Sequence, residues 1–386
     1  MEIQTRRVVV VGGGVLGSSV TLRLAQDGYR VTLLEADRLA AGTSSCSFAW
    51  LNSNAKTPRA YHDLNAAGLS AHLSLKHEFP ATPWLHEGGS LEIVGPPGAQ
   101  TLRDKVRQLQ DWSYPAELIS ASRLAELEPD IALDAIPDAT IAFFPQEAWI
   151  DPALFIAHMT RKARELGATI RCGVRVTDLV VEGGRACGVI TAAGERLDAD
   201  LIVNCAGRWT NDVVADANLR IPMAPRLGFL AFTPPGATTL SRVLRTTLVD
   251  MRPDGAGRLV LHDNDVDERV NPDTPLPPMM QHAEAMTNAA ARLLPMLSGI
   301  VPEAVRRAIR PVPQDGYSAI GPIPGLGNYY LAVTHSAVTL SAHLARLIAW
   351  EIAGKDQAAL EQFRPARFFG GNRGPIGEGE ALHNAG

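Results

Sequence analysis

The sequence predicts an α/β fold, and three observations carry that expectation: a valine run that ends in glycines, a helical pattern that starts at once, and an acid that closes the next apolar run. Val8, Val9, Val10 and Val11 have the composition of a strand buried on both faces of a parallel sheet. Gly12, Gly14 and Gly17 then form G-x-G-x-x-G. The first glycine turns the chain, the second lets the backbone approach a pyrophosphate, and the third lets the next helix pack on the strand. That helix is predicted over 18–26, with Val20 and Leu24 on one face and Asp27 and Gly28 as its stop. A second strand over 30–34 leads to Glu35, where a carboxylate can accept hydrogen bonds from both hydroxyls of an adenosine ribose. An acid there selects a free 2′-hydroxyl, which favours FAD or NAD over NADP. A bare glycine signature could be a tight turn in an unrelated α/β protein; the strand before it, the helix after it and the acid beyond make it a dinucleotide signature.

With 386 residues the chain is long enough for two or three domains. Apolar residues at 46%, charged residues at 20% and a net charge of -5 describe a globular protein with no footprint for nucleic acid. The first strand starts near Arg7, leaving no room for a signal peptide, and no apolar run reaches the ~20 residues of a membrane span, so the expectation is a cytoplasmic protein. Cys46, Cys172, Cys187 and Cys205 lack C-x-x-C spacing, so no metal site or redox pair is expected and the cysteines read as small core residues.

After Glu35 comes AAGTSSCSFAWLNSN, residues 40–54, whose small side chains allow a ligand close to the backbone and whose Thr43, Ser44 and Ser45 hydroxyls can bind phosphate or a ring carbonyl. A helix is predicted over 58–79, short strands around a Gly88-Gly89 turn within 84–94, and helices over 101–112 and 120–128. Asp151 and Pro152 mark a helix start, the aspartate capping and the proline in the first position, with a stop at Gly167. Strands follow over 169–172, 174–181, 186–191 and 197–204, the last running into Ala206 and Gly207. From 221 to 310, short β-like runs such as 226–232 and 258–262 alternate with proline turns around one helix over 280–294. A second strand-turn-helix unit closes the chain: a strand over 329–334, a turn at His335, Ser336 and Ala337, and a helix over 338–352 whose N-terminus suits an electron-rich group.

Together these segments resemble the FAD-dependent D-amino acid oxidase family, which includes glycine oxidase, sarcosine oxidase and D-amino acid dehydrogenase relatives. The resemblance covers most of the chain through motifs in order: VVVVGGGVLGSSV with Glu35; WIDPALFIAHMTRKARELGATI with RVTDL; ADLIVNCAGRW; and IRPVPQDGYSAIGP with YYLAVTHSAVTL and FRPARF. It implies FAD rather than NAD, and a Rossmann-like FAD-binding domain of the GR2 type with a discontinuous α+β substrate domain on an antiparallel sheet. The expected division is 1–57, 145–220 and 311–386 for FAD, and 58–144 with 221–310 for substrate.

The resemblance also implies roles for residues. Gly12, Gly14, Val15, Leu16 and Gly17 would lie under the pyrophosphate, Glu35 and Ala36 at the ribose with Arg38 nearby, and Thr43, Ser44 and Ser45 at the phosphate and flavin. Val176 would meet the adenine, Ala206, Gly207 and Trp209 would line the nucleotide side, and Gly321 belongs to the same cofactor set. His335, Ser336, Ala337, Val338 and Thr339 would face the pyrimidine end of the flavin. Arg310 falls where several members place an arginine on the substrate carboxylate, a task that suits a two-pronged guanidinium. A surface arginine beside a proline turn is the plain alternative. His335 and Tyr317 are the other candidate catalytic residues, His335 with helix capping as its alternative; His262, Trp50 and Lys56 are candidate pocket residues, with core packing or exposure as theirs.

Members that bind flavin covalently through histidine carry it at the end of the loop matching 43–50, where this chain has Phe48, Ala49 and Trp50. Those that use a cysteine would need one near Gly321, and the last is Cys205, so the expected FAD is non-covalent. Sarcosine-oxidase-like members use a lysine above the flavin with dioxygen; the absence of lysine between Lys162 and Lys355 argues against that route. The implied activity is oxidation of the C–N bond of an amino acid or secondary amine, the electrons passing to dioxygen or another acceptor. Alternatives are a dehydrogenase that serves a quinone or partner subunit, and a noncatalytic flavin-binding subunit. No motif selects among glycine, sarcosine, a D-amino acid, a cyclic imino acid or a secondary metabolite, and none speaks to oligomeric state.

Overall fold

The computed structural model describes residues 6–369; the outermost parts of the expected FAD ranges, 1–5 and 370–386, lie outside the described residues. The strand Arg7–Val11 sits in a nine-stranded sheet, between Leu201–Asn204 on one side and Arg30–Glu35 on the other, parallel to both. Val8, Val9, Val10 and Val11 are buried, the double-sided burial that a run of valines requires. Thr169–Cys172 extends the sheet beyond Arg30–Glu35, and Leu326–Val333 runs parallel to Leu201–Asn204. One face carries the helices Val15–Gln26, Pro152–Glu165 and Ala337–Ile352, against the last of which Arg59–Glu78 packs. The other face packs Leu179, Val189 and Val213 from the antiparallel Val176–Glu182 and Arg185–Thr191 strands and the Gly207–Val213 turn.

A second sheet of eight strands runs in the order Ala304–Ile309, Leu227–Phe232, Leu259–His262, Asp250–Pro253, Val243–Thr246, Ser90–Val94, Thr140–Phe144, Glu117–Ile119. Its pairings are antiparallel except that of Val243–Thr246 with Ser90–Val94. Side chains alternate along these strands. Leu91, Ile93, Leu244, Met251 and Leu261 join the core beneath the helix Leu276–Leu293, while Glu92, Arg245, Asp250, Arg252 and His262 occupy the intervening positions.

Two local expectations change, and the strands expected around Gly88 and Gly89 are present but join different sheets: Leu85–Glu87 pairs with Ala148–Ile150 in a three-stranded ribbon, and Ser90–Val94 pairs with Thr140–Phe144 in the large sheet. Positive φ at both glycines, +148° and +86°, lets the chain step between sheets there rather than fold into a hairpin. The run 197–204 divides into Arg196–Asp198 and Leu201–Asn204, because the Asp200 carboxylate turns to accept from the Arg7 amide at 2.7 Å. The first helix starts at Val15, three residues early, with Gly14 as its cap.

Candidate functional site

The glycine loop and the helix behind it form one wall of a long groove. A Cβ on Gly12 would lie 2.5 Å from the Cys205 carbonyl oxygen, and one on Gly17 1.9 Å from that of Gly12, so the loop, the first helix and the Leu201–Asn204 strand end meet at contact that excludes any side chain. The Glu35 carboxylate accepts from the Gly13 amide at 2.7 Å and the Asp37 amide at 2.9 Å, and the Ser44 hydroxyl accepts from the Val15 amide at 3.1 Å. Amides at a helix start, a carboxylate beyond the loop and a hydroxyl opposite it are the donors and acceptors that a dinucleotide's phosphates and ribose need.

Most of the expected cofactor residues line this groove: Gly12, Gly14, Val15, Leu16, Glu35, Ala36, Thr43, Ser44, Val176, Ala206, Gly207, Trp209, His335, Ala337 and Val338. Others stand elsewhere. Gly17 is inside the helix, supporting the loop through its contact with Gly12. Arg38 and Ser45 line an adjoining depression with Arg306. Gly321 adopts φ +141° against Arg364 and Pro365, where a Cβ would lie 2.9 Å from Arg364 Nη1.

At its His335 end the groove meets a smaller cavity of about 80 Å³, lined by Thr43, Phe48, Trp50, Lys56, His262, Arg310 and residues of the 335–339 turn, including Ser336 and Thr339. Thr339 Oγ1 donates to the Trp50 carbonyl at 3.2 Å, joining the last helix to the segment that follows the cofactor loop. Arg310 and His335, two of the three candidate catalytic residues, are therefore together here. Tyr317 is not among the lining residues: its ring packs edge-on against Tyr61 at 5.5 Å, and the Tyr61 hydroxyl is 2.8 Å from Ser336 Oγ.

The cavity wall is strongly ionic. Arg310 Nη2 binds Asp267 Oδ2, and His262 Nε2 lies 3.0 Å from each of these two atoms. The far side of His262 faces Asp250 at 3.7 Å, and Asp250 in turn pairs with Arg245 at 3.4 Å. Burial opposes a charge on His262, but Asp250 and Asp267 outweigh it and raise its pKa above the ordinary value. Gly228 leaves room for this arrangement, since a Cβ there would lie 2.6 Å from Arg310 Nε. Glu147 is buried and accepts from Ser90 at 2.5 Å, Tyr114 at 2.6 Å and Asn54 at 2.9 Å, and burial raises its pKa. Lys56 is 7% exposed; burial, reinforced by Arg245 and Arg310, lowers its pKa to about 8. Burial pushes the Cys46 thiol up to about 12, so Cys46 stands in the wall as a neutral thiol.

Sequence reasoning missed Asn52, Gly228 and Leu230 in the wall and Asp267 behind it. Asn52 lies between two flagged residues, Trp50 and Lys56. Asp267 sits on the short helix Asn264–Arg269, capped by Asp263, which is too brief to show helical periodicity.

Comparison with known proteins agrees with this geometry. The chain is 26% identical over 317 residues to the anaerobic glycerol-3-phosphate dehydrogenase subunit A1 of Haloferax volcanii, covering 75% of this chain and 51% of that protein. It spans, therefore, about half the length of that relative. It is 26% identical over 372 residues to the glycine oxidase of Pseudomonas aeruginosa, covering 91% of this chain and 96% of the relative. The crystal structure of glycine oxidase from Geobacillus kaustophilus superposes with a TM-score of 0.81 at 20% identity, covering 95% of this chain and 100% of that one, which establishes the shared fold. A sequence model of the family described as FAD dependent oxidoreductase (DAO) matches residues 7–350, and the chain belongs to that family, with FAD as its cofactor.

Proposed function

We propose that this protein oxidises the C–N bond of an amino acid or secondary amine, the imine product then being hydrolysed by water. The observation that carries this reading is the ionic cavity at the His335 end of the groove, where Arg310, His262 and Lys56 stand beside Trp50 and Phe48. Such a wall suits a small molecule with an anionic end and an apolar body. The 26% identity to a glycine oxidase along nearly the whole of both chains supports the same class. FAD, held non-covalently in the groove, supplies the acceptor for the hydride that leaves the carbon beside nitrogen. The chain's own residues bind, orient and enclose the substrate. Arg310, steadied by Asp267 and His262, contributes to the cationic end that receives a carboxylate. The amides at the start of the Ala337–Ile352 helix favour negative charge at the ring end of the groove, and His335 stands at the junction between groove and cavity.

The test is anaerobic bleaching of the purified yellow protein by a panel of glycine, D-amino acids, N-methyl amino acids and cyclic imino acids, followed by admission of air. Bleaching by a member of the panel is the expected result, and fast recovery in air identifies an oxidase. Slow recovery, with turnover restored by a dye acceptor, identifies a dehydrogenase. Retained colour with every amine would overturn the reading in favour of a noncatalytic subunit or a different substrate class.

A further inference from the structure

Among the described residues, four buried or half-buried cations around the cavity and the sheet behind it have carboxylate partners, and Lys56 has none. Arg310 sits on Asp267, Arg245 on Asp250 at 3.4 Å, Arg252 on Asp254 at 2.9 Å and Lys105 on Glu92 at 2.6 Å. Lys56 lines the same cavity, and among the described residues its ammonium makes neither a hydrogen bond nor an ion pair. Glu147, the acid whose field reaches it, already accepts from Ser90, Tyr114 and Asn54. A desolvated cation without a counter-ion is costly unless a ligand provides one. The geometry points to Lys56 as the cation that binds the substrate's carboxylate. This rests on the amino-acid reading above and deepens it.

Charge selects the form of ligand as well as its class. With Arg310 and Arg245 already matched by aspartates, the ammonium of Lys56 favours a guest of net charge near minus one. An amino acid with its carboxylate ionised and its amine neutral is such a guest, and the neutral amine is the form that can release hydride. An adjacent ammonium also disfavours protonation of the bound amine. Arg310, on this account, orients the carboxylate while Lys56 supplies the charge that holds it.

The groups facing Lys56 define its pH behaviour. They are Arg245 on the strand Val243–Thr246, Arg310 beyond Ala304–Ile309, Glu147 before Ala148–Ile150, His262 at the end of Leu259–His262, and His335 at the turn before the last helix. Carboxylate affinity should therefore fall as pH rises through about 8 and Lys56 loses its proton.

The experiment is calorimetric titration of the FAD-loaded protein with propionate and with its uncharged counterpart propionamide, across pH 6.5 to 9.5. The parent should prefer propionate, and that preference should decline above pH 8. Lys56→Met should weaken propionate at least about thirtyfold, the usual least cost of losing a buried charge partner, leave propionamide unchanged and abolish the decline. Lys56→Arg should keep propionate binding. Equal propionate affinity in Lys56→Met and parent would overturn the assignment. Should Lys56→Met not fold, the parent's profile decides: a preference that is flat to pH 9.5 overturns it. Amine bleaching alongside unchanged Lys56→Met binding would remove Lys56 and leave the proposed function intact. Lys56-dependent binding without bleaching by any amine would do the reverse.

Discussion

Replacing Gly17 with alanine tests the contact on which the cofactor loop rests. A Cβ at this position would lie 1.9 Å from the Gly12 carbonyl oxygen and 3.3 Å from Cys205 Cβ. An ordinary contact is roughly 3.5 Å, so the helix or the loop must give by about 1.5 Å. Neither is free to do so. Gly12 holds φ +106° with its amide on the Leu34 carbonyl at 2.8 Å, and the helix Val15–Gln26 is packed between Pro152–Glu165 and Ala337–Ile352. Alanine gains about 1 kcal/mol of helix propensity over glycine, and overpacking of this kind costs about 1–3 kcal/mol or more. At the upper end of that cost the net expectation is a loss of about 2 kcal/mol, which for a chain of this size lowers the melting temperature by about 2–3 °C. The loop amides move with the backbone, so FAD affinity should fall at least about tenfold, equivalent to about 1.4 kcal/mol. Thermal unfolding of the apoprotein and quenching of flavin fluorescence measure the two effects. Gly28→Ala is the control: φ is +84° but nothing lies within 4 Å of the added Cβ, so it should cost stability through backbone strain and leave FAD affinity alone. A Gly17→Ala protein as stable as its parent, with the same FAD affinity, would refute the argument.

Two further outcomes follow from buried titrating groups. His72 is buried between the helices Arg59–Glu78 and Ala337–Ile352 with Nε2 2.8 Å from the Val338 carbonyl, and burial lowers its pKa to about 4. Because the folded value is depressed, stability present above pH 6.5 is lost as pH falls toward 4, by roughly 3 kcal/mol in full; urea unfolding at pH 7 and pH 4.5 should show a shallower loss in His72→Gln, and parallel losses would count against the assignment. Asp267→Asn removes the charge that Arg310 and His262 share and should cost about 3 kcal/mol. His262 has a raised pKa, so its contribution is full below pH 6.5 and is lost as pH rises through the folded value; in Asp267→Asn that pH dependence should shrink, and an unchanged urea midpoint at pH 6 would contradict the role given to Asp267.

The nucleotide side was legible because its information is local. The valine strand, the three glycines and Glu35 lie within 29 residues, and 335–339 is again a contiguous strand-turn-helix junction. Loop chemistry of this kind is written in neighbouring residues. The cavity was far less legible, because its contacts are long-range: Asn54 meets Glu147 across 93 positions, and Thr339 meets Trp50 across 289. The strands either side of Gly88-Gly89 were legible but their partners were not, since local composition identifies strands but not the sheet that each will join. Arg310 and Lys56 could be marked as candidates by position, whereas the aspartate that holds Arg310 lies on a six-residue helix with no pattern to read.

The strands Val243–Thr246 and Asp250–Pro253 show why composition misleads here. The second, DMRP, alternates charged and apolar residues, and the first, VLRT, places Arg245 beside apolar Leu244, a pattern that ordinarily marks one solvated face. In the folded chain that face is covered: Arg252 Nε donates to the Phe48 carbonyl, the Arg252 guanidinium stacks 5.0 Å from the Trp149 ring, and the Arg245 guanidinium 5.6 Å from the Trp50 ring. A sheet that only needed a core would do better with apolar residues on both covered faces, because a buried ion pair seldom repays its desolvation. The acids match the arginines around the cavity and leave Lys56 over. An interior built at that cost around one unmatched ammonium is organised for an anion that arrives from solution.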